Sequence, residues 1–417
     1  MTETVEVFLW PEIPVGKLWF RSSNGRESAS FEYEPAWLAN SSDRFALEPG
    51  LNLNAGTFHT QNMPLFGALG DSAPDRWGRV LMRRREERVA RAAGKTPRTL
   101  SELDFLLGIT DEARQGALRF KKNTSDQFLA PPASVNQRAM NQISGAIPPL
   151  VALPKLLSAS QRFLESKETD DDLRLLLAPG SSLGGARPKA SVYDSGDLSI
   201  AKFPRKNDEF QTTLWEAVAL TLAGKAGIQV PVWKIEKALN CPVLVLKRFD
   251  RQGQRRIPFL SAMSMLGARD NEQHSYLEIA NALIQYGAEP LRDLEELWRR
   301  LVFNICISNI DDHLRNHGFL YCFPKGWRLS PAYDLNPVPR QEGSRFLSLA
   351  IDMVSREASL DTAFSVIGEF RLKREKAAAI LDDVLCAVGE WQSTANSLGI
   401  KRMEAERMAS AFEYSDH

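Results

Sequence analysis

The segment of this 417-residue chain that says most about its architecture reads SNIDDHLRN, from Ser308 to Asn316. It follows the apolar residues 301–307, which are typical of a buried helix. Asp311 and Asn316 are five positions apart, and Asp334 follows Asn316 by eighteen residues in PAYDL. The sequence therefore predicts a polar loop that brings a carboxylate and an amide to the end of a helix.

The spacing D-x-x-x-x-N is the one by which protein-kinase catalytic loops present a base and a magnesium-binding amide. Asp311 is then predicted to accept or orient the proton of an attacking hydroxyl. Asn316 and Asp334 are predicted to bind Mg²⁺, whose charge offsets the charge that develops on transferring phosphates. The prediction is phosphoryl transfer from ATP.

Asp312 and His313 leave a second interpretation open, because adjacent carboxylates and a histidine also occur in metal-dependent hydrolases. The other histidines form no H-x-H or HExxH pattern, which disfavours that class. We group His313 with the nucleotide-binding residues, as an orienter of the loop through a hydrogen bond to backbone.

Composition is that of a soluble globular protein, with 43% hydrophobic and 25% charged residues. The net charge is zero, which argues against broad, unaided binding to nucleic acid. The run Arg83-Arg84-Arg85 is either a local basic surface or the solvated face of a helix.

The four cysteines, Cys241, Cys306, Cys322 and Cys386, form no CxxC pair, so we expect buried, reduced thiols. No basic and apolar leader opens the sequence, and no run reaches the ~18 apolar residues that span a bilayer. We expect a cytoplasmic protein with no membrane partner.

Organisation along the chain predicts an α+β fold, like the two-lobed fold of protein kinases. Residues 1–121 are expected to form a small β-rich subdomain with helices, with strands over 5–10, 16–20 and 28–33. Residues 122–250 are expected to complete the smaller lobe, beginning with a polar and Pro-rich connection. Residues 251–417 are expected to form a mainly helical lobe that carries the catalytic loop.

Individual helices and strands are predicted from periodicity and turn residues. We expect a helix capped by Asp71 that ends near Gly94, and continuous helical character over residues 363–398. Strands are expected over residues 189–193, 198–203 and 243–249.

A Gly/Ser loop, residues 180–189, lies between a predicted helix and a predicted strand. Its glycines would let backbone N–H groups approach phosphates, although it matches neither G-x-x-x-x-G-K-[ST] nor G-x-G-x-x-G. By itself it is equally compatible with an ordinary turn between a helix and a strand.

Lys202 follows that loop by one hairpin, where kinases place the lysine that contacts the α- and β-phosphates. Glu216 in the next predicted helix is its expected partner, and an ordinary surface lysine is the alternative. Leu246, Lys247 and Phe249 follow on a strand that would face the adenine.

Together these motifs resemble the HipA-type serine/threonine kinases, the toxins of bacterial type II toxin–antitoxin systems. The resemblance rests on five motifs in order: SLGGARPK (182–189), AKFP (201–204), VLKRFDR (245–251), NIDDHLRN (309–316) and LSPAYD (329–334). VGKL (15–18) and YEPAWL (33–38) resemble that family's small N-terminal subdomain, so nearly the whole chain is covered.

The resemblance implies ATP and Mg²⁺ as cofactors and the catalytic roles given above. It implies that Ser182, Gly184, Gly185 and Ala186 contact nucleotide, with Lys202, Leu246, Lys247, Phe249 and His313. It also implies autophosphorylation at Ser182, with Ser181 close enough to compete, and consequent loss of ATP binding. Arg187-Pro188 stiffens the end of this loop and opposes its release.

The resemblance further implies that the protein substrate is an aminoacyl-tRNA synthetase. Its implied partners are a small helix-turn-helix antitoxin and, through the antitoxin, operator DNA. A different hypothesis is a catalytically silent kinase fold that acts as a co-repressor with the antitoxin. Asp334 is followed by Leu335-Asn336 and not Phe-Gly, so the activation switch of ordinary protein kinases is not implied.

Overall fold

The computed structural model describes residues 2–23, 25–122, 128, 147–177, 185, 187–340 and 345–414. The β-strands in these ranges are β1 (Thr2–Leu9), β2 (Ile13–Ser23), β3 (Arg26–Tyr33), β4 (Thr57–His59), β5 (Leu118–Lys122), β6 (Lys189–Asp194), β7 (Asp197–Lys202), β8 (Trp233–Ala238), β9 (Cys241–Lys247), β10 (Arg251–Gln252), β11 (Arg255–Arg256), β12 (Phe259–Ser261), β13 (Gly318–Cys322) and β14 (Gly326–Leu329).

The α-helices in the same ranges are α1 (Pro35–Ala39), α2 (Gly67–Gly70), α3 (Arg76–Ala92), α4 (Glu102–Leu107), α5 (Leu153–Leu164), α6 (Asp170–Leu177), α7 (Thr212–Lys225), α8 (Ala262–Met265), α9 (Tyr276–Tyr286), α10 (Pro290–Cys306), α11 (Leu360–Ser365), α12 (Arg374–Gly389), α13 (Trp391–Ser397) and α14 (Arg402–Met408). Short 3₁₀ helices cover Leu150–Ala152, Leu314–Asn316 and Ala409–Phe412.

These elements form two compact units. The first comprises Met1–Lys206 and Lys237–Leu260, and the second comprises Asn207–Glu236 and Ser261–His417. The first unit holds most of the strands and the second most of the long helices, as the α+β prediction requires. The finer division at residues 121 and 250 stays a prediction.

A five-stranded antiparallel sheet in the order β4-β3-β2-β1-β5 begins the first unit. Apolar residues alternate along β1 and β2, so one face of each strand is buried. The register pairs Val5 with Leu18 and Leu18 with Phe31, all three fully buried. The strands predicted over residues 5–10, 16–20 and 28–33 are confirmed.

Asp75, and not Asp71, caps α3. The Asp75 carboxylate accepts a hydrogen bond from Gly78 N at 2.8 Å, which satisfies one of the free N–H groups in the first turn. Asp71 instead ends the short helix α2. The prediction was wrong because both aspartates precede the helix, and only the backbone path shows which one reaches the first-turn N–H groups.

The second sheet of the first unit has the order β6-β7-β9-β8. Lys189 lies opposite Lys202, and Ser199 lies opposite Lys247. Its buried side packs on α3, α5 and α6 through a cluster that includes Trp77, Leu156, Phe163, Leu176 and Phe203. The sheet and these helices therefore fix the ends of the Gly/Ser loop.

The basic run on α3 makes contacts within the first unit. The Arg83 guanidinium lies 5.1 Å from the centre of the Phe105 ring, and Arg84 lies 3.7 Å from the buried carboxylate of Glu168. These contacts fit the helix-face interpretation of the run.

The second unit is built around α10, whose residues 297–306 are all buried. α9 packs beside it, and β13 and β14 form an antiparallel hairpin after the catalytic loop. The continuous helical segment predicted over residues 363–398 is wrong. It is divided among α11, α12 and α13, and Arg371 between α11 and α12 has a positive φ of 56°.

The four cysteines, all of them among the described residues, form no disulfide. Cys306 is buried as predicted and Cys241 is partly buried, but Cys322 and Cys386 are exposed. Cys322 ends β13, and Cys386 lies outside the buried stripe of α12. Among the helices described, none combines the length and apolar character needed to cross a bilayer.

We expect the stability of the first unit to depend on pH because of Glu48. Its carboxyl accepts a hydrogen bond from Ala68 N at 2.6 Å, and burial, with Asp71 nearby, raises the pKa of Glu48 to about 7. Its stabilising contribution is therefore full below about pH 4.5, the unfolded value, and is lost as the pH rises through 7. In wild type this loss is roughly 2–3 kcal/mol of the free energy of unfolding, and we expect the Glu48→Gln variant to lack it.

Urea unfolding of wild type and Glu48→Gln at pH 5 and pH 8 measures this difference. The exposed Glu32 lies on β3 of the same unit, so Glu32→Gln is the matched control and should follow wild type. Identical pH profiles for wild type and Glu48→Gln would show that the carboxyl is not desolvated.

Candidate active site

The catalytic loop begins where α10 ends. Ser308 adopts a left-handed conformation with φ of 52°, and Asn309 N donates back to Asn304 O at 2.9 Å. Ser348 holds the next residue, because its N and its hydroxyl both donate to Ile310 O, at 2.9 and 3.0 Å. The backbone on the N-terminal side of Asp311 is thus fixed by α10 and by a later segment of the chain.

Asp312 is a buried structural carboxylate. Its Oδ2 atom receives hydrogen bonds from Asn304 Nδ2 at 2.9 Å and from the Tyr276 hydroxyl, and lies 2.8 Å from His317 Nε2. Burial raises the pKa of Asp312, but the charge and hydrogen bond of His317 and the bond from Tyr276 outweigh it and hold the pKa below its usual value. Burial and the neighbouring Asp312 raise the pKa of Tyr276 well above normal.

Asn304, Tyr276 and His317 were not singled out in the sequence. The indication in the sequence was Asn304, a polar residue inside the apolar run of α10. A polar side chain is costly to bury without hydrogen-bond partners. The network accounts for Asp312 as a support of the loop, because Oδ2 has three partners and the residue is only 3% exposed. This burial disfavours Asp312 as an accessible metal ligand of a hydrolase.

Asn316 ends the 3₁₀ turn and is 6% exposed. Its backbone N donates to His313 O at 2.8 Å, and its Nδ2 donates to Asp311 O at 3.1 Å. The side-chain oxygen Oδ1 is buried and has no hydrogen-bond partner among the described residues. A buried amide oxygen without a partner costs free energy, so this atom is arranged for a ligand that the chain does not supply.

Asp311 differs from its neighbours because its side chain is exposed. No described residue bonds to its carboxylate, while its backbone O is held by Asn316 Nδ2. An ionised carboxylate with a fixed backbone and an open side can receive a proton.

Asp334 lies on a segment that is tied to the catalytic loop on both sides. The Tyr333 hydroxyl donates to Arg315 O at 2.7 Å, and Asn336 N donates to Asn309 Oδ1 at 3.3 Å. Asp334 itself has a positive φ of 59°, which aspartate tolerates better than most residues. The structure therefore brings the segments of Asp311, Asn316 and Asp334 together within the second unit.

This donor set fits magnesium. Mg²⁺ is commonly held by one or two carboxylates together with substrate phosphates and waters, and prefers oxygen ligands. Asn316 Oδ1 and the Asp334 carboxylate are oxygen groups of this kind. The observation that supports the fit is that Asn316 Oδ1 is buried without a partner among the described residues. The described residues contain no cluster of three or more His, Cys, Asp or Glu side chains suited to a metal held by protein alone.

Replacing Asn316 by Leu should weaken metal–nucleotide binding at least about tenfold, because loss of a supporting residue alone costs about that much. Asn316→Asp is the matched control, since it loses the Nδ2 donor to Asp311 O but keeps an oxygen ligand. Titration of Mn²⁺ with ATP, followed by electron paramagnetic resonance, measures the affinities. Equal affinities of Asn316→Leu and wild type would remove Asn316 from the metal site.

In the first unit, Lys202 lies on β7 directly opposite Lys189 on β6. Lys189 is 2% exposed, and its Nζ donates to Asp75 Oδ2 at 2.6 Å and to Gly185 O at 3.2 Å. Lys189 thus ties the end of the Gly/Ser loop to the cap of α3. This anchoring role was not predicted, although Lys189 stood in the quoted motif.

Gly185 is the one predicted nucleotide contact of the loop that the structure describes, with φ of 88°. Ser181, Ser182, Gly184 and Ala186 lie outside the described residues. Their predicted contacts with nucleotide and the predicted phosphorylation stay predictions.

The predicted adenine-facing strand is β9 with the residues that follow. Leu246 is buried, and Phe249 is partly buried with its ring 6.3 Å from that of Phe259. The Lys247 side chain is exposed and forms a 2.6 Å ion pair with Asp197. The predicted adenine contacts of this strand stay predictions.

Arg248 and Asp250 have a structural role that the sequence did not show. Both are fully buried, and Arg248 Nε donates to Asp250 Oδ1 at 2.8 Å. Asp250 Oδ2 also accepts from Gly116 N at 2.7 Å and from Arg251 Nη1 at 2.8 Å. The motif VLKRFDR therefore anchors the segment before β5 as well as ending the strand β9.

His313 departs from its predicted contact. Its ring makes no hydrogen bond to the described residues, and its Nδ1 is buried without a partner. The backbone O of His313 accepts from Asn316 N instead. The expected ring-to-backbone bond was wrong because the tight 3₁₀ turn satisfies this part of the loop through its own main chain.

Comparison with known families identifies two matching domains. The HipA N-terminal domain matches residues 5–121, and the HipA-like C-terminal domain matches residues 181–408. The C-terminal match alone covers more than half of the chain.

Individual relatives are more distant. The candidate kinase Y4mE of Sinorhizobium fredii is 27% identical over 335 residues, which cover 73% of this chain and 71% of Y4mE. A candidate kinase of Haemophilus influenzae is 32% identical over 125 residues, which cover 27% of this chain and only 36% of that protein. The fold resembles HipA in the Shewanella oneidensis HipA–HipB–operator DNA complex, with a TM-score of 0.66 over 98% of this chain and 95% of that one, at 16% identity.

Proposed function

The chain belongs to the HipA family, and on this basis we propose that it transfers the γ-phosphoryl group of ATP to a serine or threonine hydroxyl of a protein. The observation that carries the proposal is that Asn316 Oδ1 is buried with no hydrogen-bond partner among the described residues, while Asn316 Nδ2 bonds to the backbone O of Asp311, whose carboxylate is exposed. A base followed by a metal ligand along one fixed loop is what phosphoryl transfer requires.

Asp311 orients the attacking hydroxyl and accepts its proton as the oxygen bonds to phosphorus and the bond to the β-phosphate oxygen breaks. Asn316 and Asp334 hold Mg²⁺, which supplies positive charge at the phosphate oxygens when bound. Lys202 contacts the α- and β-phosphates, with Gly185 and its neighbours in the Gly/Ser loop around them. Leu246, Lys247 backbone and Phe249 line the adenine site.

We further propose that the Gly/Ser loop regulates the enzyme through autophosphorylation of Ser182, with Ser181 as the competing site. A phosphoserine adds about −1.5 to −2 charge, which would repel nucleotide phosphates from the same loop. Lys189 and Asp75 hold the C-terminal end of this loop, so the change would be confined to the part before Gly185.

In the cell, we propose that the protein is a cytoplasmic growth-arrest toxin whose substrate is an aminoacyl-tRNA synthetase. The proposed partners are a small helix-turn-helix antitoxin and operator DNA bound through it, with which the chain co-represses its operon. Family membership supports this part, as does the Shewanella oneidensis complex in which HipA is joined by HipB and operator DNA. The zero net charge fits a protein that gains DNA affinity from a partner.

Induced expression in a bacterial host tests the cellular part. Wild type should stop growth, and phosphopeptide comparison should find a synthetase serine or threonine that is labelled with wild type but not with Asp311→Asn. Growth arrest by both proteins without a new phosphosite would contradict the kinase mechanism and support a silent co-repressor or another binding role.

A further inference from the structure

A cavity of about 450 Å³ lies within the first unit. It is bounded by Trp10 after β1, the turn of the β6–β7 hairpin, and the turn of the β10–β11 hairpin. Leu198 in its wall is four residues before Lys202 on β7, about 13 Å along that strand from the predicted phosphate-binding lysine. None of the residues assigned above to catalysis or nucleotide binding lines this cavity.

The wall of this cavity is rich in buried positive charge. Arg251 and Arg256 line it, and their side chains are 8% and 9% exposed. They belong to two connected ion-pair groups, in which Arg119 and Arg256 share Asp111 and Arg248 and Arg251 share Asp250. With the Glu112 carboxylate of the wall, these four arginines and three carboxylates carry a formal surplus of one positive charge, which favours an anion.

Arg256 still has hydrogen-bond donors to offer. It donates to Asp111 through Nη1 at 3.3 Å and Nη2 at 2.8 Å. A guanidinium has five N–H groups, so three of them have no partner among the described residues. The ion pair with Asp111 also holds the fork in place, which lowers the entropy cost of binding a ligand.

The one carboxylate in the wall is already occupied. The Glu112 side chain accepts a hydrogen bond from the Tyr193 hydroxyl, and burial and this bond raise the pKa of Tyr193 to about 12. The hydroxyl stays protonated at neutral pH, so it continues to shield the Glu112 charge. The charge of Glu112 therefore does not cancel the attraction that the arginines exert on an anionic ligand.

The rest of the wall is aromatic and apolar. Trp10, Tyr193 and Leu198 provide flat or apolar surface beside the two guanidinium groups. The hairpin turns that close the cavity contain Gly196 and Gly253, and a Cβ atom at either would meet no atom within 4 Å. These turns thus have no side chain or packed neighbour at their glycine positions.

We propose that this cavity binds a small organic phosphate that carries a flat ring, with the phosphate on Arg256, near the charge of Arg251, and the ring against Trp10. Guanidinium groups match phosphate oxygens in geometry and charge, and an indole stacks on a planar ring. The volume suits a ligand of about nucleotide size or smaller. The site would respond to a metabolite independently of phosphoryl transfer.

Phenyl phosphate is the probe, because it combines one phosphate with one flat ring. Calorimetric titration is done on the full chain saturated with Mg²⁺ and a non-hydrolysable ATP analogue, so that the nucleotide site does not contribute. We expect saturable binding by wild type and by Asp311→Asn, and a loss of at least about tenfold in Arg256→Gln. We expect this result even if the chain does not transfer phosphate, so the two proposals can fail independently.

Arg119→Gln is the matched control, because Arg119 also pairs with Asp111 at 2.8 Å but does not line the cavity. It removes the same charge from the cluster but no hydrogen-bond donor from the wall, so it should weaken binding less than Arg256→Gln does. Gln254→Glu, at an exposed position of the wall, is a second test that does not depend on the buried ion pairs and should also weaken binding.

Trp10→Leu should weaken phenyl phosphate and leave inorganic phosphate unchanged. Equal affinity of wild type for the two probes would overturn the part of the proposal that assigns a ring to Trp10. Absence of saturable binding to wild type at about 10 mM probe would overturn the site. So would full affinity in both Arg256→Gln and Gln254→Glu.

Discussion

Replacement of Asp311 by Asn is expected to reduce phosphoryl transfer by about 10²–10⁴-fold, the range that a positioned base contributes. The carboxylate is exposed and has no partner among the described residues, whereas the backbone O of Asp311 is held by Asn316 Nδ2 at 3.1 Å. Asparagine keeps the size of the side chain and that backbone bond but cannot take up the proton. ATP affinity should therefore stay within about twofold of wild type.

Single-turnover transfer and equilibrium ATP binding, measured side by side, separate these two effects. Asp382→Asn is the matched control, since it removes an exposed carboxylate on α12 of the same unit, and it should transfer phosphate at the wild-type rate. A rate for Asp311→Asn within a fewfold of wild type would exclude Asp311 as the base. A parallel loss of ATP binding would assign it to binding.

Replacement of Asp250 by Asn is expected to destabilise the first unit by about 3–5 kcal/mol, the usual cost of breaking a buried ion pair. Asp250 accepts from Arg248, Arg251 and Gly116 N, and it is completely buried. Burial alone raises the pKa of Asp250, but the charges of Arg248 and Arg251 outweigh it and keep the pKa well below normal. The variant would leave two buried guanidinium groups without their carboxylate.

Urea unfolding and hydrogen exchange of the Gly116 amide measure this loss, because that N–H bonds to Asp250 Oδ2. The control is Asp197→Asn, which breaks the exposed ion pair with Lys247 in the same unit and should cost only about 0–1 kcal/mol. Similar effects of the two substitutions would show that the Asp250 cluster is solvated and not a buried anchor.

Local sequence patterns predicted the parts of the fold that depend on neighbouring residues. The alternation in β1 to β3 and the apolar residues 301–307 of α10 are such patterns, and the structure confirms those elements. The spacing from Asp311 to Asn316 belongs to the same class, because the tight turn between them is local. Its structure, with Asn316 bonded back to His313 O and Asp311 O, could be anticipated in outline from the motif.

Contacts between distant segments could not be predicted in this way. Lys189 reaches Asp75 across 114 positions, and Asp250 reaches Gly116 across 134. A charged residue in a strand motif gives no indication of whether its partner is solvent, nucleotide or a buried backbone group. The roles of Lys189, Arg248 and Asp250 as anchors, and of Tyr276 and His317 as supports of Asp312, emerge only from the fold.

We propose that this chain transfers phosphate from ATP to a protein hydroxyl with a metal held by Asn316 and Asp334. Incubation of the purified chain with γ-labelled ATP, with and without Mg²⁺, followed by location of the label by mass spectrometry, measures this transfer. We predict acid-stable label on serine or threonine that requires Mg²⁺ and is absent from Asp311→Asn and Asp334→Asn. Label that persists in both variants, or its absence from wild type in the presence of Mg²⁺, would rule out this mechanism.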